Sequence, residues 1–192
     1  EEAVGVTYDD VRADADAALA VLVDKYSKIR EAHEAVVILG SDYTDVASPT
    51  ELTFNARVAA NLNAPVLLVV SGRNRGAAEI RSAADGALAE FAANHAKVIA
   101  VMANRVEPDV LAEVRTSLEQ LSGMVTCALP RDPLLVAPTV DAQFEAVGAR
   151  LLQGNADMLA HESVEVLVAG MTLPNVLLRL TPESTVILPG DR

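Results

Sequence analysis

The chain has 192 residues, 51 % of them hydrophobic, and a formal net charge of −12 from 27 acidic and 15 basic side chains. That length supports one well-buried α/β domain with part of a second, and the apolar fraction is too high for a disordered chain. The acidity excludes nucleic acid and anionic membranes as partners, because no Lys/Arg cluster along the sequence offsets it; the longest basic grouping is Arg73 and Arg75, in a predicted loop.

From Tyr8 to Glu34, apolar residues recur at helical spacing (Val11, Ala15, Ala18, Leu19, Leu22, Val23, Tyr26, Ile29), and Asp9 or Asp10 caps the start. The run Ala35-Val36-Val37-Ile38-Leu39, ended by Gly40, predicts a buried strand. Pro65 to Val70, Val98 to Met102 and Met124 to Leu129 predict three more. Helices are predicted between them at Thr50 to Asn61, Ala77 to Asn94 and Pro108 to Leu121. With only 3 % aromatic residues and no Trp, the core must be built from Val, Leu, Ile and Ala. This alternation predicts an α/β fold: a three-layer parallel sheet with helices on both faces, joined by βαβ crossovers.

Pro130, Pro133 and Pro138 then mark a turn-rich connection. A helix is predicted from Val140 to Gln153, with Val140, Phe144, Val147 and Leu151 inward, and Gly154-Asn155 ends it. Strand Val164 to Val168, helix Leu173 to Arg179 and strand Thr185 to Leu188 follow. These features predict a first domain over 1–153 and the beginning of a second small α/β domain over 154–192. The chain starts Glu1-Glu2-Ala3 without Met and stops at Gly190-Asp191-Arg192, so both ends are expected to be cuts.

One cysteine, Cys127, cannot make an internal disulfide, and its apolar neighbours predict a small hydrophobe on a strand. Without a signal peptide or an apolar run of membrane-spanning length, the chain is expected to be cytoplasmic.

The segment from Gly40 to Glu51 joins a predicted strand to a helix start, with Ser48 as N-cap, Pro49 at N1 and Glu51 at N3. Parallel sheets bind ligands at the carboxyl ends of their strands, so Ser41, Asp42, Thr44 and Asp45 are candidate ligand-binding residues. Against them stands the readiness of Ser and Asp to form turns and caps. There is no G-x-x-x-x-G-K-[ST] loop, no G-x-G-x-x-G fingerprint and no G-x-S-x-G elbow. His33, His95 and His161 lack metal-ligand spacing, and capping of helix ends accounts for the first two. No catalytic set and no metal site is expected.

Gly40-Ser41-Asp42-Tyr43-Thr44-Asp45, Ser48-Pro49-Thr50-Glu51-Leu52 and Asn61-Leu62-Asn63-Ala64-Pro65-Val66-Leu67-Leu68-Val69 resemble the N-terminal region of the long phosphate acetyltransferases. So do Val101-Met102-Ala103-Asn104-Arg105, Leu129-Pro130, Asp132-Pro133-Leu134-Leu135 and Ala137-Pro138-Thr139. Ala169-Gly170-Met171-Thr172 and Ile187-Leu188-Pro189-Gly190-Asp191-Arg192 resemble the opening of the DRTGG domain of the same enzymes. The resemblance implies a P-loop-NTPase-like domain, similar to dethiobiotin synthetase, that lacks its first strand and P-loop here.

It also implies a partner, the C-terminal catalytic domain of the same polypeptide, which converts acetyl-CoA and phosphate to acetyl phosphate and CoA. This chain would be the regulatory and assembly part of a homo-oligomer, inactive alone. Relatives carry Glu-Gly where this chain has Gly40-Ser41, and they offer an Asn to a nucleotide base at the position of Asn104. The chain itself holds no cofactor on this reading; nucleotide and magnesium would need a chain extended through the P-loop. Two alternatives are a nucleotide-dependent enzyme fragment related to dethiobiotin synthetase, and a stand-alone interaction module.

Overall fold

A computed structural model of the chain describes residues 5–41 and 50–190. They fall into two compact units that divide between Arg131 and Asp132. In the first, the long helix expected over 8–34 is two helices, α1 (Tyr8–Ala13) and α2 (Ala15–Ala32). Asp14 separates them: its backbone is extended (φ −157°, ψ 99°), and its carboxylate accepts hydrogen bonds from the N–H groups of Asp16 and Ala17. A short acid that bonds its own backbone competes with the helical ladder, so it ends one helix and caps the next.

At the start of α1, Thr7 and Asp10 form a reciprocal capping box, with Thr7 N and Oγ1 donating to Asp10 Oδ2 at 2.9 and 2.6 Å. The third helix, α3 (Thr50–Leu62), lays Phe54 and Val58 against Ala18 and Leu19 of α2 in a small apolar cluster. Arg57 of α3 pairs with Asp16 of α2 at its edge.

Next come β1 (Val66–Ser71), α4 (Ala77–Ala93), β2 (Val98–Val106), α5 (Leu111–Glu119) and β3 (Val125–Pro130). The three strands form a parallel sheet in the order β1-β2-β3. Three of the four expected strands are therefore present, and the α/β class is as the alternation predicted. Leu68 and Val70 of β1, Val101 and Ala103 of β2 and Ala128 of β3 share one face. There Ile80, Ala84 and Phe91 of α4 and Val114 and Leu118 of α5 bury them.

On the opposite face, Leu67, Val69, Val125 and Leu129 are exposed. Strands laid down in sequence order with crossovers of one hand put successive helices on the same face. Among the described residues no reversal of strand order sends a helix to the other.

The strand predicted at 35–39 does not form. The segment joins no ladder among the described residues, and Val37 and Leu39 are 95 % and 96 % exposed. A strand needs a neighbouring edge to satisfy its backbone. Here the described partner of β1 is β2 alone, and none is offered to residues 35–39.

The second unit contains α6 (Pro133–Val136), α7 (Val140–Ala146), α8 (Ala156–Leu159), β4 (Glu165–Val168), α9 (Leu173–Leu177) and β5 (Ser184–Ile187). Strands β4 and β5 pair in parallel around α9, close to the expected ranges. Buried Ser163, just before β4, is tied to β5 through a 2.7 Å contact between its hydroxyl and Thr185 Oγ1. Helix α7 is half the expected length. Gly148 takes a left-handed conformation (φ 60°) and closes it, with Ala149 N–H donating to Phe144 O and Gly148 N–H to Glu145 O. Val147 and Leu151 are consequently exposed rather than inward.

The division between units falls at 131/132, upstream of the boundary expected near Gly154. Residues 138–140 are tied forward, by Val140 N–H to His161 O and Ser163 N–H to Pro138 O, both 2.9 Å, and by the Thr139–Glu162 bridge.

Candidate functional site

Of the expected ligand-binding residues, Asp42, Thr44 and Asp45 lie outside the described residues, as does the predicted Ser48 cap. Ser41 is described, and both of its polar groups are engaged. Its N–H and hydroxyl donate to Asn55 Oδ1 at 3.3 and 3.2 Å, and Asn55 Nδ2 donates back to Ser41 O at 3.3 Å. This clasp fastens the end of the exposed apolar segment to the second turn of α3. Asn55 carries no sequence motif, and only the fold shows its role. Glu51, in the first turn of α3, is buried at 7 % exposure, and its Oε2 has no hydrogen-bond partner.

Asn104, the remaining expected residue, ends the regular part of β2. Its carbonyl accepts from Gly72 N–H at 2.7 Å, and its side-chain Oδ1 accepts from Arg105 N–H at 2.9 Å. Its amide oxygen is thus occupied in turning its own chain. No described hydrogen bond joins Asn104 to Ser41.

Around Asn104 the carboxyl ends of the three strands close together. A Cβ on Gly72 would lie 2.6 Å from Val106 Cγ2 and 2.9 Å from Val106 Cα, so only glycine lets the β1–α4 loop press on β2. The pairing of β2 with β3 skips between Ala103 and Val106, a bulge at which Arg105 takes a left-handed conformation (φ 60°). Beyond the bulge, Arg131 N–H donates to Val106 O at 2.8 Å.

Three chain segments remote in sequence thereby bring Arg73, Arg75, Arg105 and Arg131 to one sheet edge. The four sit at or just past the ends of three strands that are side by side only through strand pairing, so no basic run marks them in the sequence. The spacing of strand ends followed by Arg, at 71–73, 104–105 and 130–131, is the signal that was there to find. Arg75 Nη1 rests on Ser71 O at 3.4 Å, and Arg131 Nη1 lies 3.8 Å from Glu107 Oε1. Arg73 and Arg105 are exposed and make no ion pair with any described residue.

The histidines cap or follow helices: His33 Nδ1 lies 2.9 Å from Ile29 O, His161 Nδ1 lies 2.7 Å from Asp157 O, and His95 follows α4 at φ 61°. Cys127 is half-buried on β3. Among the described residues, no three His, Cys, Asp or Glu side chains are grouped to hold a metal, and no helix is long and apolar enough to cross a membrane.

A family model, AAA_26, described as an AAA domain, matches residues 2–139. Three curated relatives are phosphate acetyltransferases. The one from Synechocystis sp. is 30 % identical over 181 residues, covering 92 % of this chain and 26 % of the relative. Those from Nitratidesulfovibrio vulgaris and Pseudomonas putida are 27 % and 26 % identical, covering 89 % and 92 % of this chain and 25 % and 26 % of the relatives. The chain therefore spans about a quarter of the length of the curated relatives it matches. No solved structure matches.

Proposed function

The chain belongs to the AAA_26 family of AAA domains, and we propose that it serves as the N-terminal regulatory and assembly region of a phosphate acetyltransferase. The observation that carries this reading is the pattern of coverage: relatives of that name align over about nine-tenths of this chain but only a quarter of themselves. On this reading the exchange of acetyl-CoA and phosphate for acetyl phosphate and CoA is performed by a C-terminal domain of the same polypeptide. This chain contributes no catalytic residue to it. Residues 154–192 are then the beginning of a DRTGG domain, and the assembled enzyme is a homo-oligomer.

What supports a non-catalytic role is the chemistry of the described side chains. The nucleophile candidates are committed elsewhere: the Ser41 hydroxyl to Asn55, the Ser163 hydroxyl to Thr185, and Cys127 half-buried on β3. Among the described hydrogen bonds, none joins a His ring or a carboxylate to any of the three.

The test is CoA release from acetyl-CoA and phosphate, measured for the chain alone, for a phosphate acetyltransferase carrying it, and for that enzyme with residues 1–192 deleted. We expect no turnover by the chain, turnover by both enzymes, and a changed effector response or subunit number only on deletion. Turnover by the chain alone, or identical regulation and assembly after deletion, overturns the reading.

Family membership also favours a second reading, nucleotide and magnesium binding by a chain extended through a P-loop. Saturable magnesium–ATP binding by such an extended chain, measured by calorimetry, would support it, and absence of binding would sink it.

A further inference from the structure

We propose that residues 36–39 are a strand donor, taken up by a second copy of this chain on the free edge of its β1, the two copies exchanging strands reciprocally. This gives an assembly role a surface, but it stands on the fold of this chain alone and not on the acetyltransferase reading.

The donor is the run Val36-Val37-Ile38-Leu39, apolar throughout and β-branched at its first three positions. Its backbone joins no described ladder and no described hydrogen bond, and Val37 and Leu39 stand in solvent. Both ends of the segment are anchored. The His33 ring lies 2.9 Å from Ile29 O at the end of α2, and the Ser41–Asn55 clasp holds the other end on α3. A segment anchored at both ends gives up less entropy on pairing than a free tail does.

The acceptor is the outer edge of β1. Among the described residues β1 pairs with β2 alone, and from Leu67 to Val70 no described hydrogen bond outside that ladder reaches its backbone. Arg75 Nη1 touches only Ser71 O, at the far end. Edge strands are ordinarily blunted by charge, proline or a covering group. The other edge strand, β3, has two such devices: Arg115 of α5 donates to Ala128 O at 3.4 Å, and the strand ends in Pro130. Residues 67–70 contain neither charge nor proline. Beside them Leu67 and Val69 are exposed on the open face of the sheet, so an added strand also gains apolar neighbours.

One chain thus carries both an unpaired run and an unpaired edge. Two copies related by a twofold axis satisfy both at once, and the exchange closes on itself. A foreign strand would fill the edge and leave 36–39 in water. Residues 35–41 and 66–72 bear no charge, so the contact itself is free of repulsion in a molecule of net charge −12. Repulsion between the remaining surfaces is screened by salt beyond about 8 Å at physiological ionic strength. Two short strands make an interface at the small end of the range, below about 1,200 Å², where pairing is weak and transient. The dimer therefore belongs to concentrated solutions, and the run is free in dilute ones.

The test is sedimentation equilibrium of the 192-residue chain, from about 10 μM to about 1 mM, at low and high salt. Monomer is expected at the dilute end and dimer at the concentrated end, with tighter association at high salt. Val37→Lys/Leu39→Lys is expected to weaken association at least about tenfold. Its lysines lower the net negative charge, so they would ease any contact made elsewhere. Val125→Lys, at an exposed site on β3, should associate as the parent does. Hydrogen exchange on the parent reads the same contact without a variant, and it decides if circular dichroism shows the double variant misfolded. Amides 36–39 should exchange fast in the dilute monomer and slow as the dimer forms. A monomer throughout the range, association that weakens with salt, or a dimer whose 36–39 amides still exchange fast overturns the proposal. So does a dimer that the double variant leaves untouched, or one that Val125→Lys weakens equally.

Discussion

Residues 66–70 and 35–39 are each five consecutive apolar residues, and their surroundings separate them completely. The first run pairs in register along β2 and buries Leu68 and Val70 under α4. The second, of nearly the same composition, joins no described ladder and leaves Val37 and Leu39 in solvent. The difference teaches that apolar β-branched composition is permission to be a strand and not a cause. Each strand backbone must find donors and acceptors on a neighbour, and each apolar side chain must find a helix to cover it. The same contrast runs across the sheet, where one face is sealed by two helices and the other keeps Leu67, Val69 and Val125 exposed.

The sharpest way to break this comparison is a pair of truncations. Leu68→Ala, at a site 4 % exposed in the core, should cost about 2–5 kcal/mol in urea unfolding followed by circular dichroism. Leu39→Ala, at a site 96 % exposed, should change stability by no more than about 0.5 kcal/mol. Comparable losses would mean that residues 35–39 are packed in solution. Hydrogen exchange gives an independent reading, with fast exchange expected at 37–39 and strong protection at 101–103.

A smaller loss is expected from Gly72→Ala. The new Cβ meets Val106 backbone and side chain at under 3 Å, and prising β1 from β2 at this end should cost about 1–3 kcal/mol. A neutral result would show that the carboxyl edge yields easily.

The smallest effect belongs to the exposed cap of α1. Hydrogen bonds from the Thr7 side chain and backbone hold the Asp10 carboxyl below its ordinary value of 3.8. A depressed folded value means that the contribution is fully present above pH 3.8 and disappears as pH falls through the lower folded value. Asp10→Asn should therefore remove an acid-sensitive step in helical signal below that pH. An unchanged acid titration would show that the box does not hold α1.

Much of the first unit was legible from sequence. Continuous apolar runs identified β1, β2 and β3, and helical periodicity identified α3, α4 and α5, because both patterns report burial by regular structure. The break at Asp14 was missed because apolar spacing continues across it, while the event is a side chain bonding two N–H groups. The short α7 was missed although Gly148 was in plain view, since its left-handed turn outweighs apolar spacing beyond it. Ser41 and Asn104 were expected just past strand ends, but the strand before Ser41 does not form and Asn104 lies within β2. Their bonds to Asn55 and to Arg105 N–H could not be read from spacing.

By itself the sequence determined the α/β class, the parallel strands of the first sheet, the acidic surface and the resemblance to phosphate acetyltransferases that relatives of that name now support. These are local or summed properties: composition, periodicity and motif order. Only the tertiary structure decided which apolar run became a strand and which sheet face was covered. Those outcomes depend on pairing between segments some thirty residues apart, and no property of either segment alone specifies its partner.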